Sequence, residues 1–580
     1  MYVADFETIT DPADCRVWAY AIRDIYNDDN IFYGNNIDDF FNWCRTTGNF
    51  QQVFFHNLKF DGAFILDWLF KNGYSHIKDK NERDNKTFTT LISDGMFYDI
   101  TVYFNKKGRR WNYVSFRDSL KLLPLSVENI AKSFNLPISK LELDYNAYRS
   151  KDHKLTEDEV NYITNDVKIV AKALKYLFEQ EMTKMTTASN ALNEYKKIIG
   201  KKTFERMYPP PRYDKDVRQS YKGGFTYLNP KYANKEVKSG IVFDVNSLYP
   251  SVMYYEKLPY GQGIWFEGQY EPDELYDLYV QMFTCTFKLK EGYLPTIQLK
   301  NNMRFIPTQY ITSSNDEEVT LCLTSVDMEL FLEHYETSPI TYHSGWKFKS
   351  AVGLFKDYID KWSANKIQAK IDGNGGLYTL SKLMLNSLYG KFGSRVEVRP
   401  QIPYLDEDGV VRFQIGEVEE KDPLYIPMAS FITAWARNKT IRSAQKVFDR
   451  FIYADTDSLH LEGTEIPTEL EVDDTKLGAW KHESTFKKAK FIRAKTYIEQ
   501  EIISEKDYLK GLEKEDSFLY YNDEDGFSKL KITVAGMPNK CYDQVTFENF
   551  KPGAIYGGKL LSKRVPGGAV LEETTFEIKI

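Results

Sequence analysis

The stretch Tyr453-Ala454-Asp455-Thr456-Asp457-Ser458 sets two acids at the close of an apolar run. A strand that ends on carboxylates concentrates negative charge at a sheet edge, where it can serve a cation. Far upstream, Asp244 follows a second apolar run in Ile241-Val242-Phe243-Asp244-Val245-Asn246-Ser247-Leu248-Tyr249-Pro250. Strand-end acids so distant in sequence predict one metal site assembled by folding, with a pair of Mg²⁺ ions as its occupant.

A chain of 580 residues exceeds what one core supports, and roughly 100 to 200 residues per domain gives three or more domains. The 41 Tyr and 38 Phe can fill cores and also stack on bases. A net charge of -7 and a pI of about 5.8 argue mildly against nucleic acid on average. Locally the balance reverses. Lys476, Lys481, Lys487, Lys488, Lys490, Arg493 and Lys495 face only Glu483, and Phe104 to Arg117 carries Lys106, Lys107, Arg109, Arg110 and Arg117 without an acid. Either run, taken alone, also suits a solvated face.

The 5 Cys have no paired spacing, which excludes a disulfide framework and a zinc module and fits a reducing compartment. Met1-Tyr2-Val3-Ala4-Asp5 has no signal-peptide pattern and no apolar run reaches membrane-spanning length, so a soluble, intracellular protein is expected. A first block, about 1–185, opens with a strand and ends in a helical pattern from Thr156 to Gln180. Pro209-Pro210-Pro211 marks a boundary, and the second block holds Asp244 and Asp457. Pro403 to Val411 flanks Asp408-Gly409 with β-formers, predicting a hairpin that protrudes. After about 500, short β-like runs with turns such as Val565-Pro566-Gly567-Gly568 predict a small separate subdomain.

In the first block Asp5 and Glu7 follow Tyr2-Val3-Ala4, and residues two apart share a strand face, so together they can hold a divalent ion. The same pattern suits a solvated strand end. After Val53-Phe54-Phe55 comes His56-Asn57-Leu58-Lys59-Phe60-Asp61-Gly62, where Asp61 is either a further ligand or a turn residue. On the helix after Thr156, Val160, Ile163, Val167 and Val170 form one stripe. Tyr162 and Asp166 lie one turn apart on the other side, normally a solvated face. Two acids on a strand, one after a second strand, then Tyr-x-x-x-Asp on a helix resemble the DEDDy 3′-5′ exonucleases. The resemblance implies that Asp5, Glu7, Asp61 and Asp166 hold two metals, with Tyr162 orienting the attacking water and Lys140 as an accessory cation. Few His and unclustered Cys leave hard, oxygen-bound cations as the expected metals.

Between the two strand-end acids lies Lys382-Leu383-Met384-Leu385-Asn386-Ser387-Leu388-Tyr389-Gly390. As a helix it gathers Leu377, Leu380, Met384 and Leu388 on one stripe and Lys382, Asn386 and Tyr389 nearly opposite, a cation, amide and phenol suited to phosphate, sugar and base. Asp244-x-x-Ser247-Leu248-Tyr249-Pro250, this segment, and Tyr453-x-Asp455-Thr456-Asp457-Ser458 resemble, in that order, motifs A, B and C of family B DNA polymerases. Tyr221-Lys222-Gly223-Gly224 is similar to the segment joining exonuclease and polymerase activities, and Lys495-Thr496-Tyr497 to the KxY motif. The set resembles the protein-primed phage branch, the phi-twenty-nine-type polymerases, over essentially the whole chain.

That resemblance implies a multidomain α+β and α/β fold: an RNase H-like exonuclease domain over 1–185, then a right-hand polymerase domain over 186–580. Palm would occupy about 186–255, 351–360 and 421–500, insertion one about 256–350, fingers about 361–393, insertion two about 394–420 and thumb about 501–580. Asp244 and Asp457 would ligate the catalytic metals, Mg²⁺ with Mn²⁺ as a substitute, and Asp455 would support them. Lys382 would meet the triphosphate, aided by Lys366 or Lys370. Tyr249 would exclude a 2′-hydroxyl, Tyr389 would pack near the incoming base, and Asn386 and Gly390 would lie along the nascent pair and template. Tyr221, Gly223, Gly224, Lys495 and Tyr497 would hold DNA. Thr8, Asn57, Phe60, Ser119, Leu120 and Tyr145 would grip a frayed primer strand. Implied partners are template-primer DNA, deoxynucleoside triphosphates, a terminal protein primer and a single-stranded DNA-binding protein, in the cytoplasm of a bacterial host during phage replication. A stand-alone exonuclease and a non-catalytic replication scaffold are the alternatives.

Overall fold

The computed structural model describes residues 1–48, 50–144, 147–298, 309–514, 516–522 and 526–579. Its first sheet has eight strands, in the spatial order Ile31–Gly34, Val17–Asp24, Tyr2–Thr8, Phe50–Phe55, Arg110–Asp118, Met96–Lys107, Thr87–Ser93 and Ser75–His76. Tyr2–Thr8 runs parallel to Phe50–Phe55, which runs parallel to Arg110–Asp118. The carboxyl ends of three central strands therefore share one edge. Alternation sorts the side chains: Ala4 and Phe6 join a core with Phe40, Phe55 and Phe64, whereas Val3 joins Tyr162, Ile163 and Val167 on the opposite face. Asp5 and Glu7, in phase with Val3, look toward the helix Glu157–Glu179.

Thr156 and Glu159 start that helix with a reciprocal capping box. The solvated face expected for Tyr162 and Asp166 is not found, since they are 2% and 4% exposed. The helix packs across the first two strands, and the buried surface extends from the aliphatic stripe to its neighbouring face.

The second sheet has nine strands. Its path runs Leu519–Asn522, Gly526–Val534, Thr496–Ile502, Trp480–Arg493, Gly240–Val245, Ser458–Glu462, Phe451–Asp455 and Thr226–Leu228, with Glu236–Val237 beside Trp480–Arg493. The helix Ile426–Lys446 packs against it and is buried along most of its length. Between the strands of Asp244 and Asp457 the chain builds a four-stranded sheet, Leu258–Glu267, Thr341–Ala351, Leu278–Cys285 and Val319–Thr324, with the helix Ser325–His334. The helical pair Lys356–Ile371 and Gly375–Phe392 follows.

Two expectations need correction. The hairpin Gln401–Leu405 and Val411–Ile415 forms as predicted but does not stand free. Val411 is 2% exposed within the first block's core, and Phe413 meets Phe97 edge to face. The stretch after 500 is not separate either, because Gly526–Val534 pairs along Thr496–Ile502 and extends the second sheet. The hairpin Ile555–Val565 and Gly568–Glu577 forms a two-stranded sheet of its own. Its tip reaches the first block, where Gly567 N donates to Asp67 Oδ1 at 3.0 Å. Among the described residues no helix is long and apolar enough to cross a membrane.

Candidate active sites

Backbone register brings Asp244 and Asp457 together. Gly240–Val245 pairs antiparallel with Ser458–Glu462, setting Asp244 opposite Ser458, and Val245 N donates to Asp457 O at 2.7 Å. Asp457 lies in the tight turn between Phe451–Asp455 and Ser458–Glu462, where Thr456 takes φ 62° and Asp457 N returns to Asp455 O at 2.7 Å. Thr456 is held from both sides, its N–H by Phe225 O and its carbonyl by the Thr440 hydroxyl of the buried helix, each at 2.7 Å.

The three acids differ in their partners. Asp455 accepts from Lys495 Nζ at 3.0 Å, Thr226 Oγ1 at 3.1 Å and Tyr453 Oη at 3.3 Å. Asp244 and Asp457 have no salt bridge among the described residues. Burial, then Asp457 and Glu483, push the Asp244 carboxyl up to about 7, and burial raises Asp457 as well. Two half-buried carboxylates side by side, neither in a salt bridge, fit a site for divalent cations.

The first block gathers four more. Asp61 lies in the first turn of the helix Leu58–Lys71, which starts at Asn57 with φ 75°, and is buried. Burial, then Asp166, push Asp5 up to about 7; burial, then Asp5 and Asp166, hold Glu7 well above its usual range; and burial, then Asp5, do the same for Asp61. Asp5 and Glu7 thus feel Asp166, and Asp61 feels Asp5 and Glu7, so the acids stand within range of one another. Asp166 Oδ2 meets Lys140 Nζ at 3.2 Å, but Asp166 Oδ1 and Asp61 Oδ1 are buried with no hydrogen-bond partner. Orphaned carboxylate oxygens suit a hard cation. Among the described residues no three His, Cys, Asp or Glu side chains form a metal shell by themselves. Mg²⁺ commonly takes one or two carboxylates and completes its shell with water and phosphate.

The family model for organellar and viral type B DNA polymerases matches residues 44–157 and 142–475. The DNA polymerases of Bacillus phages M2 and phi29 are 47% and 46% identical over 100% of this chain and 99% of theirs. The chain belongs to the phi29-type family B DNA polymerases. That of Streptococcus phage Cp-1 is 33% identical over 100% of this chain and 98% of its own. The structure of phi29 DNA polymerase with primer-template DNA and incoming nucleotide matches with a TM-score of 0.92 at 45% identity, covering 100% of both chains. A polymerase is thus shown over the full length, and neither a stand-alone exonuclease nor a non-catalytic scaffold has support.

Around the polymerase acids, Tyr249 stacks on Tyr389 with ring centroids 3.9 Å apart and planes 17° apart. Both phenols are raised by burial first, and both feel the Asp457 charge, which places them beside the acid pair. Lys382 and Asn386 are exposed on Gly375–Phe392 and line an open cavity of about 540 Å³ with Lys370, while Lys366 lies one turn before Lys370 on its helix. Gly390 and Gly223 each face open space, but Gly224 packs on Thr456, where a Cβ would come within 2.6 Å of Oγ1. Gly224 thus has a packing reason to be glycine. Tyr497 is only 8% exposed, stacked on Phe491 below Lys495.

In the first block, Thr8 is half-buried at its strand end, and Phe60 is half-buried against Phe64. Ser119 is fully buried; its hydroxyl donates to Phe55 O at 3.1 Å and contacts the His56 ring, so it supports the Asn57 turn from within. Half-buried Leu120 donates its N–H to Asp118 Oδ1 at 3.0 Å. Tyr145 lies outside the described residues. The basic run Phe104 to Arg117 forms a hairpin whose tip, Lys107 to Arg110, lies at the end of the sheet remote from Asp5, and Arg117 is paired with Asp99.

Two charged residues with structural roles have no place in the motifs read from the sequence, Asp118 and Arg437. Asp118 accepts from the N–H groups of Asn57, Leu58 and Leu120 and so fixes the turn that presents Asp61. It follows the run Tyr113-Val114-Ser115-Phe116, the same signal that singled out Asp5. Arg437, fully enclosed, donates to Lys222 O at 3.0 Å and Gly223 O at 2.8 Å while its fork grips Asp327 at 2.7 to 3.1 Å. It clamps Tyr221-Lys222-Gly223-Gly224 between two helices, and nothing local in the sequence announces it.

Proposed function

We propose that this DNA polymerase adds nucleotides at Asp244 and Asp457 and removes mispaired ones at Asp5, Glu7, Asp61 and Asp166. The observation that carries the reading is the register that sets Asp244 beside Asp457 with neither acid neutralised by a salt bridge. Bound there, paired divalent ions, Mg²⁺ or Mn²⁺, would lower the pKa of the attacking hydroxyl and stabilise the leaving oxygen.

The residues supply position. Lys495 holds Asp455 and so fixes the turn that presents Asp457, and with Tyr497 it forms the seat of the primer end. The Tyr249 and Tyr389 rings occupy the space beside the acids, so an incoming nucleotide must displace the stack; Tyr249 then walls off a 2′-hydroxyl and Tyr389 faces the base. Lys382, with Lys366 or Lys370, meets the triphosphate, where positive charge opposes the charge that develops. Asn386, Gly390, Tyr221 and Gly223 follow the nascent pair and template strand, with Gly224 packed beneath.

In the exonuclease part Tyr162 orients the attacking water and Lys140 steadies Asp166. Thr8, Asn57, Phe60 and Leu120 line the path of a frayed strand, with Tyr145 and the buried Ser119 assigned there by resemblance. The domain limits given above complete this reading. Phi29 polymerase has been solved with single-stranded DNA, with primer-template DNA and with nucleotide, which supports the same ligands here. A terminal protein primer, a single-stranded DNA-binding protein and a bacterial host cytoplasm fit the phage relatives.

The deciding experiment supplies labelled dATP and Mg²⁺ with primed DNA or a candidate protein primer. Extension of the DNA and a covalent protein-nucleotide adduct are expected. No adduct with any protein hydroxyl would remove protein priming, and no extension would remove the site assignment.

A further inference from the structure

Beneath the primer seat lies a buried pair that none of these roles uses. His460 Nδ1 lies 2.6 Å from Glu499 Oε1, and the two side chains are 2% and 0% exposed. His460 belongs to Ser458–Glu462 and Glu499 to Thr496–Ile502, strands that do not pair with each other. Gly240–Val245 and Trp480–Arg493 lie between them. Neighbouring strands are about 4.8 Å apart, so a flat sheet would hold these two side chains well beyond reach. The bond therefore braces the sheet across its curved face, the face that carries Asp244.

The brace touches both halves of the polymerase site. The His460 ring lies 5.3 Å from Tyr453 and 5.2 Å from Tyr497, centroid to centroid. Tyr453 Oη accepts from Lys495 N at 2.9 Å and donates to Asp455 at 3.3 Å. A shift of His460 would move the turn of Asp455 and Asp457 relative to Lys495 and Tyr497. Stability alone does not explain the pair. A buried hydrogen bond adds little net stability, and Glu499 Oε2 has no hydrogen-bond partner among the described residues.

We infer that His460 and Glu499 are positioning residues that set the spacing between the metal-side turn and the primer seat. This rests on the assignment of Lys495 and Tyr497 to the primer end. The test uses the full chain carrying His460→Phe with Glu499→Leu, which keeps a ring in the aromatic pocket and leaves no buried charge unpaired. The KM for primer-template is expected to rise about tenfold, as for a lost buried hydrogen bond, while the KM for nucleotide and the degradation of single-stranded DNA stay unchanged. More nucleotide should then be needed to turn net degradation into net extension. Glu499→Gln, which keeps an acceptor for the imidazole N–H, should restore the primer KM to within about twofold. An unchanged primer KM in the double variant overturns the inference. So does a fall of both activities together, which assigns the pair to folding, or a Gln variant as impaired as the double, which assigns the effect to charge. Failure of the unsubstituted chain to extend primers would instead refute the primer-seat assignment.

Discussion

Replacing Asp5 with Asn is expected to stabilise the metal-free protein and abolish primer degradation in one step. Burial, with Asp166 next, lifts the Asp5 carboxyl from 3.8 to about 7. An acid raised in the folded state contributes stability that is fully present below its unfolded pKa and lost as pH rises through the folded one. At roughly 1.4 kcal/mol per unit, charging Asp5 costs the fold up to about 4 kcal/mol above pH 7 and about 2 kcal/mol at pH 5. Asp5 keeps part of its surface open to water, so screening should reduce the gain at pH 8 to about 2 kcal/mol. The amide keeps the shape and an acceptor while removing the charge.

A chain of this size does not unfold in one step, so the measurement must be local. Hydrogen exchange of the Tyr2–Thr8 and Phe50–Phe55 amides, variant against parent in EDTA at pH 5 and 8, reports the right region. Protection should increase more at pH 8. Saturating Mg²⁺ should shrink the difference, because bound cations would stabilise the parent. A variant less protected than the parent at pH 8, or an equal gain at both pH values, would refute the account of four mutually repelling acids.

Asp457→Ala should eliminate nucleotide incorporation while leaving Mg²⁺-dependent degradation of single-stranded DNA; surviving synthesis would remove Asp457 from the polymerase site. With Asp244 pushed up to about 7, protons should compete with metal there, so incorporation at limiting Mg²⁺ should fall about tenfold per pH unit below 7 and recover when metal is saturating. Asp327→Ala leaves the Arg437 guanidinium buried without its counter-charge, a loss of about 3–5 kcal/mol visible as lost hydrogen-exchange protection in Ser325–His334 and Ile426–Lys446, and Arg437→Met with Asp327→Leu should recover most of it. The logarithm of DNA affinity should fall linearly with the logarithm of salt concentration; a flat response would make the lysines of Trp480–Arg493 bystanders.

What the sequence revealed was whatever depends on neighbours along the chain. Period-two alternation put Asp5 and Glu7 on one face, a strand-end pattern located Asp244 and Asp457, and a helical pattern from Thr156 to Gln180 located the helix that carries Tyr162 and Asp166. Contacts between elements were hidden. Nothing beside Tyr162 or Asp166 indicates that their face of the helix is closed by the first strand. Nor does anything beside Arg437 point to Asp327, and the Asp408-Gly409 turn predicts a hairpin without saying that Phe413 will pack on Phe97. Asp118 was readable by the rule that found Asp5 and passed unnoticed because no distant motif depended on it.

Among the described residues, each acidic group has one acid in a salt bridge with a lysine, and the number of acids outside such a bridge differs between the two. Lys495 neutralises Asp455, leaving Asp244 and Asp457; Lys140 meets Asp166, leaving Asp5, Glu7 and Asp61. Two dications bound over two acids outside a salt bridge would leave a surplus of positive charge, which would suit a triphosphate with its several negative charges. The same two ions over three such acids would leave about the charge that one phosphodiester cancels. A lysine placed beside Asp61 should therefore disfavour metal loading at the exonuclease site, whereas an acid placed beside Lys382 should weaken nucleotide binding and spare degradation.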